Sequence, residues 1–305
     1  MQVSSAEVGR NAASDMSSGV QANDVVVLAQ DLAFPEGPAF DPSGDLWCVE
    51  LAAGTLWRRS TSGWISRRFV DGRPNGIAID AAGRIWFCDS ALNAIRRLDP
   101  ATDTLLTIVD AVDGVRLDKP NDLAFDSQGN LVFTCPGDSR TDPTGYVCCL
   151  APDGTVTVIA TGLYFPNGLG FTEDGRLVIA ETRRQRLWTG VWEPIHRQWT
   201  QLEVLASTAG QIGPDGLAIA HDGRLYVAVH GSNRIEIKTA AGGACGSLSV
   251  GAGNPTNCAF DPIGALGLVV TEAAGGRILS YPGVGPGLRL ASPKIGEVYA
   301  GEPAR

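Results

Sequence analysis

The chain has 305 residues, 44% hydrophobic and 19% charged, with 38 glycines and 18 prolines. A chain of that length buries a stable core without crosslinks, and so much glycine with few long helical patterns points to tight turns between short strands. A net charge of −9 excludes the basic face that a nucleic-acid partner demands, and no apolar run approaches the roughly 20 residues of a transmembrane helix.

Residues 1–23 are polar and rich in small residues, and they lack the apolar segment of a signal peptide. They are expected to form a flexible tail or a short arm docking on a neighbour, with residues 24–305 as a single domain. A strand-like run, Val25 to Ala29, opens that domain. A repeated unit follows, clearest in Phe165 to Ala180: a short apolar strand, a turn at Glu173-Asp174-Gly175, and a second apolar strand. Related copies begin at Pro35-Glu36-Gly37, Pro74-Asn75-Gly76, Pro120-Asn121-Asp122, Pro214-Asp215-Gly216 and Pro255-Thr256-Asn257.

The polar slots of the six copies are spaced 39, 46, 46, 48 and 41 residues apart. Further strand-like pieces, such as Gly54 to Arg59 and Ile65 to Phe69, bring each unit to four strands. A period of about 40–50 residues built from strands predicts a β-propeller, here all-β with six blades of four antiparallel strands. The terminal strands must close the ring. Val25 to Ala29 can do so beside Arg277 to Tyr281, or Glu297 to Arg305 can supply the contact. Two insertions, Val112 to Lys119 and Thr134 to Thr144, are candidate pocket walls.

Seven cysteines, with no Cys-x-x-Cys pair, read as reduced structural thiols of a cytoplasmic protein. In a propeller the slots converge at one end of the central channel, and here they supply Glu36, Asn75, Asn121, Asn167, Asp215 and Thr256. Asparagine or aspartate before glycine is also a plain turn former. A turn requirement alone, however, gives no reason to gather carboxylates at the axis, where they repel without a cation. All six slots offer oxygen, which suits one divalent cation: calcium foremost, with magnesium, manganese or iron as alternatives. Zinc is less favoured because no slot holds histidine or cysteine.

Four ordered motifs carry a family resemblance: Phe34-Pro35-Glu36-Gly37-Pro38-Ala39-Phe40, Lys119 to Asp126, Phe165 to Leu169, and Gly213 to Leu217. Over roughly residues 30–285 the chain resembles the SMP-30/gluconolactonase/luciferin-regenerating-enzyme (SGL) family of six-bladed propeller lactonases. The resemblance implies a divalent metal held by Glu36, Asn167 and Asp215, with Asn121 and Lys119 binding substrate. Several relatives carry aspartate where this chain has Cys135.

The expected activity is metal-dependent hydrolysis of a small polar lactone of the sugar-acid type. Asp215 is the candidate general base, while Asn75, Asn121 and Lys119 orient the substrate. A calcium- or partner-binding propeller without catalysis and another metal-assisted esterase are the alternatives. His230, ending a second strand on the slot side, is a second candidate base or a pocket wall. Glu50, Asp89, Glu181 and Glu272 end other second strands and could support the site from behind. Neither a Gly-x-Ser-x-Gly elbow nor a phosphate-binding loop occurs.

Overall fold

A computed structural model describes residues 25–295; the predicted tail and the alternative closing segment, Glu297 to Arg305, lie outside them. Strand β1 (Val26–Ala29) comes first in the chain but belongs to the last sheet. The first blade is β2 (Pro35–Phe40), β3 (Leu46–Glu50), β4 (Thr55–Arg59) and β5 (Ile65–Phe69). The second is β6 (Pro74–Ile79), β7 (Ile85–Asp89), β8 (Ala94–Asp99) and β9 (Thr104–Val109). A short hairpin of β10 (Ala111–Val112) and β11 (Val115–Arg116) precedes the third, β12 (Leu123–Phe125), β13 (Leu131–Cys135), β14 (Gly145–Leu150) and β15 (Val156–Leu163). The fourth is β16 (Pro166–Phe171), β17 (Arg176–Glu181), β18 (Arg186–Glu193) and β19 (Gln198–Ser207). The fifth is β20 (Gly213–Ile219), β21 (Leu225–His230), β22 (Arg234–Lys238) and β23 (Ala244–Ser249). In the sixth, β24 (Pro255–Phe260), β25 (Leu268–Glu272) and β26 (Arg277–Tyr281) are completed by β1, with Val26 opposite Ser280 and Val27 opposite Leu279. Val25 to Ala29 therefore closes the ring, hiding the edge of β26.

Local chemistry makes the hairpins. Asp41 caps the β2–β3 turn by accepting the Ser43 and Asp45 amides on Oδ1, while its Oδ2 accepts from Trp47 Nε1 at 2.9 Å. Asp80 repeats this with Ala82, Arg84 and Trp86. Between blades the strands alternate buried apolar residues, and six core clusters fill six interfaces. One of them joins Leu46, Cys48 and Trp57 of the first blade to Val269 and Ile278 of the sixth. Each such large side chain contributes about 1.5–3 kcal/mol on burial. All seven cysteines are unpaired, and all but Cys245 are buried.

After β26 the chain crosses the far mouth of the channel. The Leu288 amide donates to Ile219 O at 2.8 Å, at the end of β20. Ser292 Oγ then donates to Ile79 O at 3.2 Å, at the end of β6 in the opposite blade. This strap spans the hairpin-turn end of the ring, opposite the end that carries the slots. The two insertions frame a groove of about 360 Å³ on the outer side of blade three, between Val112, Val115, Arg116 and Thr144 and the strand residues Tyr146 and Val158. The two segments meet where Lys119 Nζ pairs with Asp138 Oδ2 at 2.6 Å and the Gly137 amide donates to Asp118 O at 3.1 Å.

Candidate metal centre

Bulges aim the slot residues. In β2 the ladder pairs Glu36 with Val49 and then jumps to Ala39 with Trp47, so two residues oppose one. The same jump lies at Pro74 to Ile77, Pro166 to Leu169 and Pro214 to Leu217, and a one-residue version at Pro255 to Asn257. A bulge breaks the period-two alternation and turns a side chain away from the sheet face. Residues that would otherwise point between blades thereby face the axis.

Glu36 and Asn167 are buried, and the Asp215 side chain is 13% exposed. Burial raises the Glu36 carboxyl well above its ordinary range, and Asp215 and Asp122 raise it further. Asp215 is pushed up to about 8, by burial first and then by Asp122. Asp122 itself is pushed up to about 7 by burial. Three carboxylates thus face one another, and none is paired with a lysine or arginine among the described residues. Gathering them without a counter-charge is costly, and a cation removes that cost.

Asn167 is held in a defined orientation. Thr182, just beyond β17, spends its hydroxyl proton on Pro214 O at 2.7 Å, so its oxygen can only accept from Asn167 Nδ2 at 3.3 Å. Asn167 Oδ1 is left as the acceptor, the atom a hard cation needs. Among the described residues, no three His, Cys, Asp or Glu side chains are arranged to hold a metal ion. Glu36, Asn167 and Asp215 fit a divalent cation as two carboxylates and one neutral oxygen.

The other predicted residues divide. Asn75 is buried at its slot and Asn121 is half-buried at the mouth, with its carbonyl accepting from the Gly76 amide at 2.8 Å. Lys119 stands above them, its Nζ 2.6 Å from Asp138 in an exposed ion pair. Lys119, Phe34 and Phe165 occupy the same place before the slot proline, and all three have positive φ, +48°, +61° and +59°. That conformation is costly for non-glycine residues and recurs at functional rims.

Thr256 is not a slot donor. Its buried hydroxyl donates to Pro35 O at 2.8 Å, sewing the sixth blade to the first. Glu50, Asp89, Glu181 and Glu272 each pair with an arginine of their own blade, Arg67, Arg96, Arg186 and Arg277, at 2.6–2.9 Å, and each also accepts a backbone amide two or three residues before a slot, from Ala33, Arg73, Tyr164 and Asn254, at 2.7–3.3 Å. Cys135 is fully buried in the core between blades two and three.

Two residues missing from the slot pattern complete the centre. Asp122 and Asn257 follow their slots where the other copies carry glycine, and their side chains meet beneath the ligand candidates. The departure from glycine in two of six copies was the signal. His230 is the third neighbour, with Nδ1 3.7 Å from Asp215 Oδ2.

A six-bladed ring with carboxylate and amide oxygens at one channel mouth defines a β-propeller with a polar axial site. Residues 34–274 match the SMP-30/Gluconolactonase/LRE-like region, and the chain belongs to that family. It is 28% identical over 272 residues to a gluconolactonase of Zymomonas mobilis, covering 77% of this chain and 75% of the relative. It is also 28% identical over 249 residues to the diisopropyl-fluorophosphatase of Loligo vulgaris, covering 71% and 78%. The crystal structure of a calcium-binding protein, regucalcin, from Agrobacterium tumefaciens superposes with a TM-score of 0.78 at 21% identity, covering 88% of this chain and 96% of that one. The last likeness speaks to the fold alone.

Proposed function

We propose that this protein is a metal-dependent lactonase acting on a small polar lactone of the sugar-acid type. The observation that carries this reading is the set of unpaired carboxylates around Asn167 at the slot end of the channel, in a chain whose relatives include a gluconolactonase. Calcium is the first candidate, since all three proposed ligands are oxygens and two are anionic.

Bound by Glu36, Asn167 and Asp215, the cation supplies Lewis-acid polarisation of the lactone carbonyl. The protein does the rest. Asp215 accepts the proton of the attacking water as the new C–O bond forms, and returns it to the ring oxygen as the ester bond breaks. Asn75 and Asn121 hold substrate oxygens at the mouth, and Lys119, freed from Asp138, attracts a carbonyl or hydroxyl oxygen from above.

The test is a pH-stat assay of aldonolactones on chelated protein, with each divalent cation restored in turn. Turnover that disappears with chelation and returns with one cation supports the reading; no turnover with any of them overturns it. The likeness to diisopropyl-fluorophosphatase favours a second reading, metal-assisted hydrolysis of another ester class. Aryl esters and phosphotriesters in the same assay rank the two.

A further inference from the structure

Three buried threonines fasten slot strands to the blade before them, and they choose three slots of the six. Thr134 Oγ1, on β13, donates to Asn167 O of the next blade at 3.0 Å. Thr182 Oγ1 donates to Pro214 O, the carbonyl that precedes Asp215, at 2.7 Å. Thr256 Oγ1, on β24, donates to Pro35 O, the carbonyl that precedes Glu36, at 2.8 Å. Each bond crosses from one blade to the next and lands on a proposed ligand or on the residue before it. Among the described residues, no hydroxyl of a preceding blade reaches the slot strand of Asn75, Asn121 or Thr256; Asn121 O takes the Gly76 backbone amide instead.

The repeat does not account for this choice. Phe133 faces Leu123 in blade three as Ile179 faces Leu169 in blade four. The blade-four equivalent of Thr134 is therefore Ala180, and Thr182 lies two places further along. Thr256 stands on a slot strand itself. Three different positions in the blade converge on one kind of acceptor. The same hydroxyls also take bonds from the centre. Thr134 Oγ1 accepts the Asp122 amide at 3.2 Å, and Thr182 Oγ1 accepts from Asn167 Nδ2 at 3.3 Å. In blade six the Asn257 amide donates to Thr271 Oγ1 at 3.1 Å, and that oxygen lies 2.9 Å from Thr256 Oγ1. All four threonines are buried, so bulk water does not stand in for a lost hydroxyl.

We propose that Thr134, Thr182 and Thr256 are positioning residues of the metal centre, whose hydroxyls hold Asn167, Asp215 and Glu36 at the mutual spacing a divalent cation requires. The inference rests on the metal-site part of the lactonase reading. A bond to the carbonyl at or beside a ligand fixes the backbone from which that side chain reaches the axis. Glu36 and Asp215 repel each other when both are charged, and a fastened backbone resists the spreading that would follow. Supporting contacts of this kind orient ligands before the cation arrives.

The experiment uses the full chain, chelated and then titrated with calcium in a calorimeter. Thr134→Val and Thr256→Val keep the shape and lose the hydroxyl, and each should weaken calcium binding about 10–100-fold. Thr134→Ser and Thr256→Ser keep the hydroxyl and should bind as wild type does. Thr189→Val is the stability control: its buried hydroxyl, on the third strand of blade four, accepts from Arg176 Nε at 3.1 Å. It should lower the urea midpoint and leave calcium affinity unchanged. For a valine variant too unstable to titrate, the rise in melting temperature on adding calcium reads the same affinity, and it should be smaller than in wild type. Valine variants that bind calcium like wild type, serine variants as weak as the valine ones, or an equal loss of affinity in Thr189→Val overturns the proposal. If wild type binds no divalent cation, the metal reading falls instead.

Discussion

Asn257 donates from Nδ2 to Asp122 Oδ2 at 3.3 Å, joining the innermost strands of blades six and three, which stand opposite each other in the ring. The two residues are held alike. Asp122 Oδ1 accepts the Leu123 amide at 2.9 Å, and Asn257 Oδ1 accepts the Cys258 amide at 2.8 Å. Together they floor the channel beneath the proposed ligands.

That floor exists because the neighbouring blades lack side chains there. A Cβ added to Gly76 would lie 2.1 Å from Asp122 Oδ1 and 2.7 Å from its Cα, and one on Gly216 would lie 2.0 Å from Asn257 Oδ1. Neither blade can retreat, since both are wedged in a closed ring. Gly76→Ala and Gly216→Ala are each expected to cost about 1–3 kcal/mol or more, read as a lowered urea midpoint. Unchanged midpoints would show that the floor is not tightly packed.

Titration gives a second expectation. Asp122 at about 7, Asp215 at about 8 and a raised Glu36 all exceed the ordinary carboxylate range near 4. Between the ordinary and raised values, the folded chain holds protons that the unfolded chain has shed. Stability of the chelated protein therefore falls as pH rises from about 4 to 8. A cation favours the charged forms and opposes that fall, so calcium should raise the melting temperature more at pH 8 than at pH 5. A chelated protein that melts higher at pH 8 than at pH 5 would contradict this electrostatic account.

Much of this arrangement was legible before the structure. The six Pro-x-Gly-like copies, at fixed spacing, give the propeller and the convergence of Glu36, Asn167 and Asp215, because a repeat places equivalent residues at equivalent points of a ring. Closure by Val25 to Ala29 follows from the need to cover an edge. Thr256 misleads because a hydroxyl at the slot looks the same in sequence whether it faces the axis or, as here, the Pro35 carbonyl. The pairing of Glu50 with Arg67 and of Glu181 with Arg186 depends on strand register and is invisible in a linear reading. Asp122 and Asn257 are hidden by the opposite effect: aligning on the slot draws the eye from the position after it.

Asp215→Asn separates chemistry from folding. The amide keeps the shape and an oxygen donor but cannot take a proton, so turnover should drop about 10²–10⁴-fold with an unchanged circular dichroism spectrum. Removing one of three crowded carboxylates also relieves repulsion on Glu36. The chelated variant should melt above chelated wild type at pH 8. Retained lactonase activity would sink the assignment of Asp215 as base.

Thr182→Val tests whether the orientation of Asn167 matters to the metal. Valine matches threonine in shape but leaves Pro214 O and Asn167 Nδ2 without the hydroxyl that joins them. Two buried polar groups lose a partner, at a cost of about 1–3 kcal/mol, and Asn167 is free to turn its nitrogen toward the cation. Loss of such a supporting contact typically weakens metal binding about 10–100-fold, which calorimetry with calcium reads directly. With calcium in large excess, KM for the lactone should return to the wild-type value, since Thr182 touches no substrate. If affinity for calcium is unchanged while stability falls, the hydroxyl serves only to sew blade four to blade five, and Asn167 is oriented by something else.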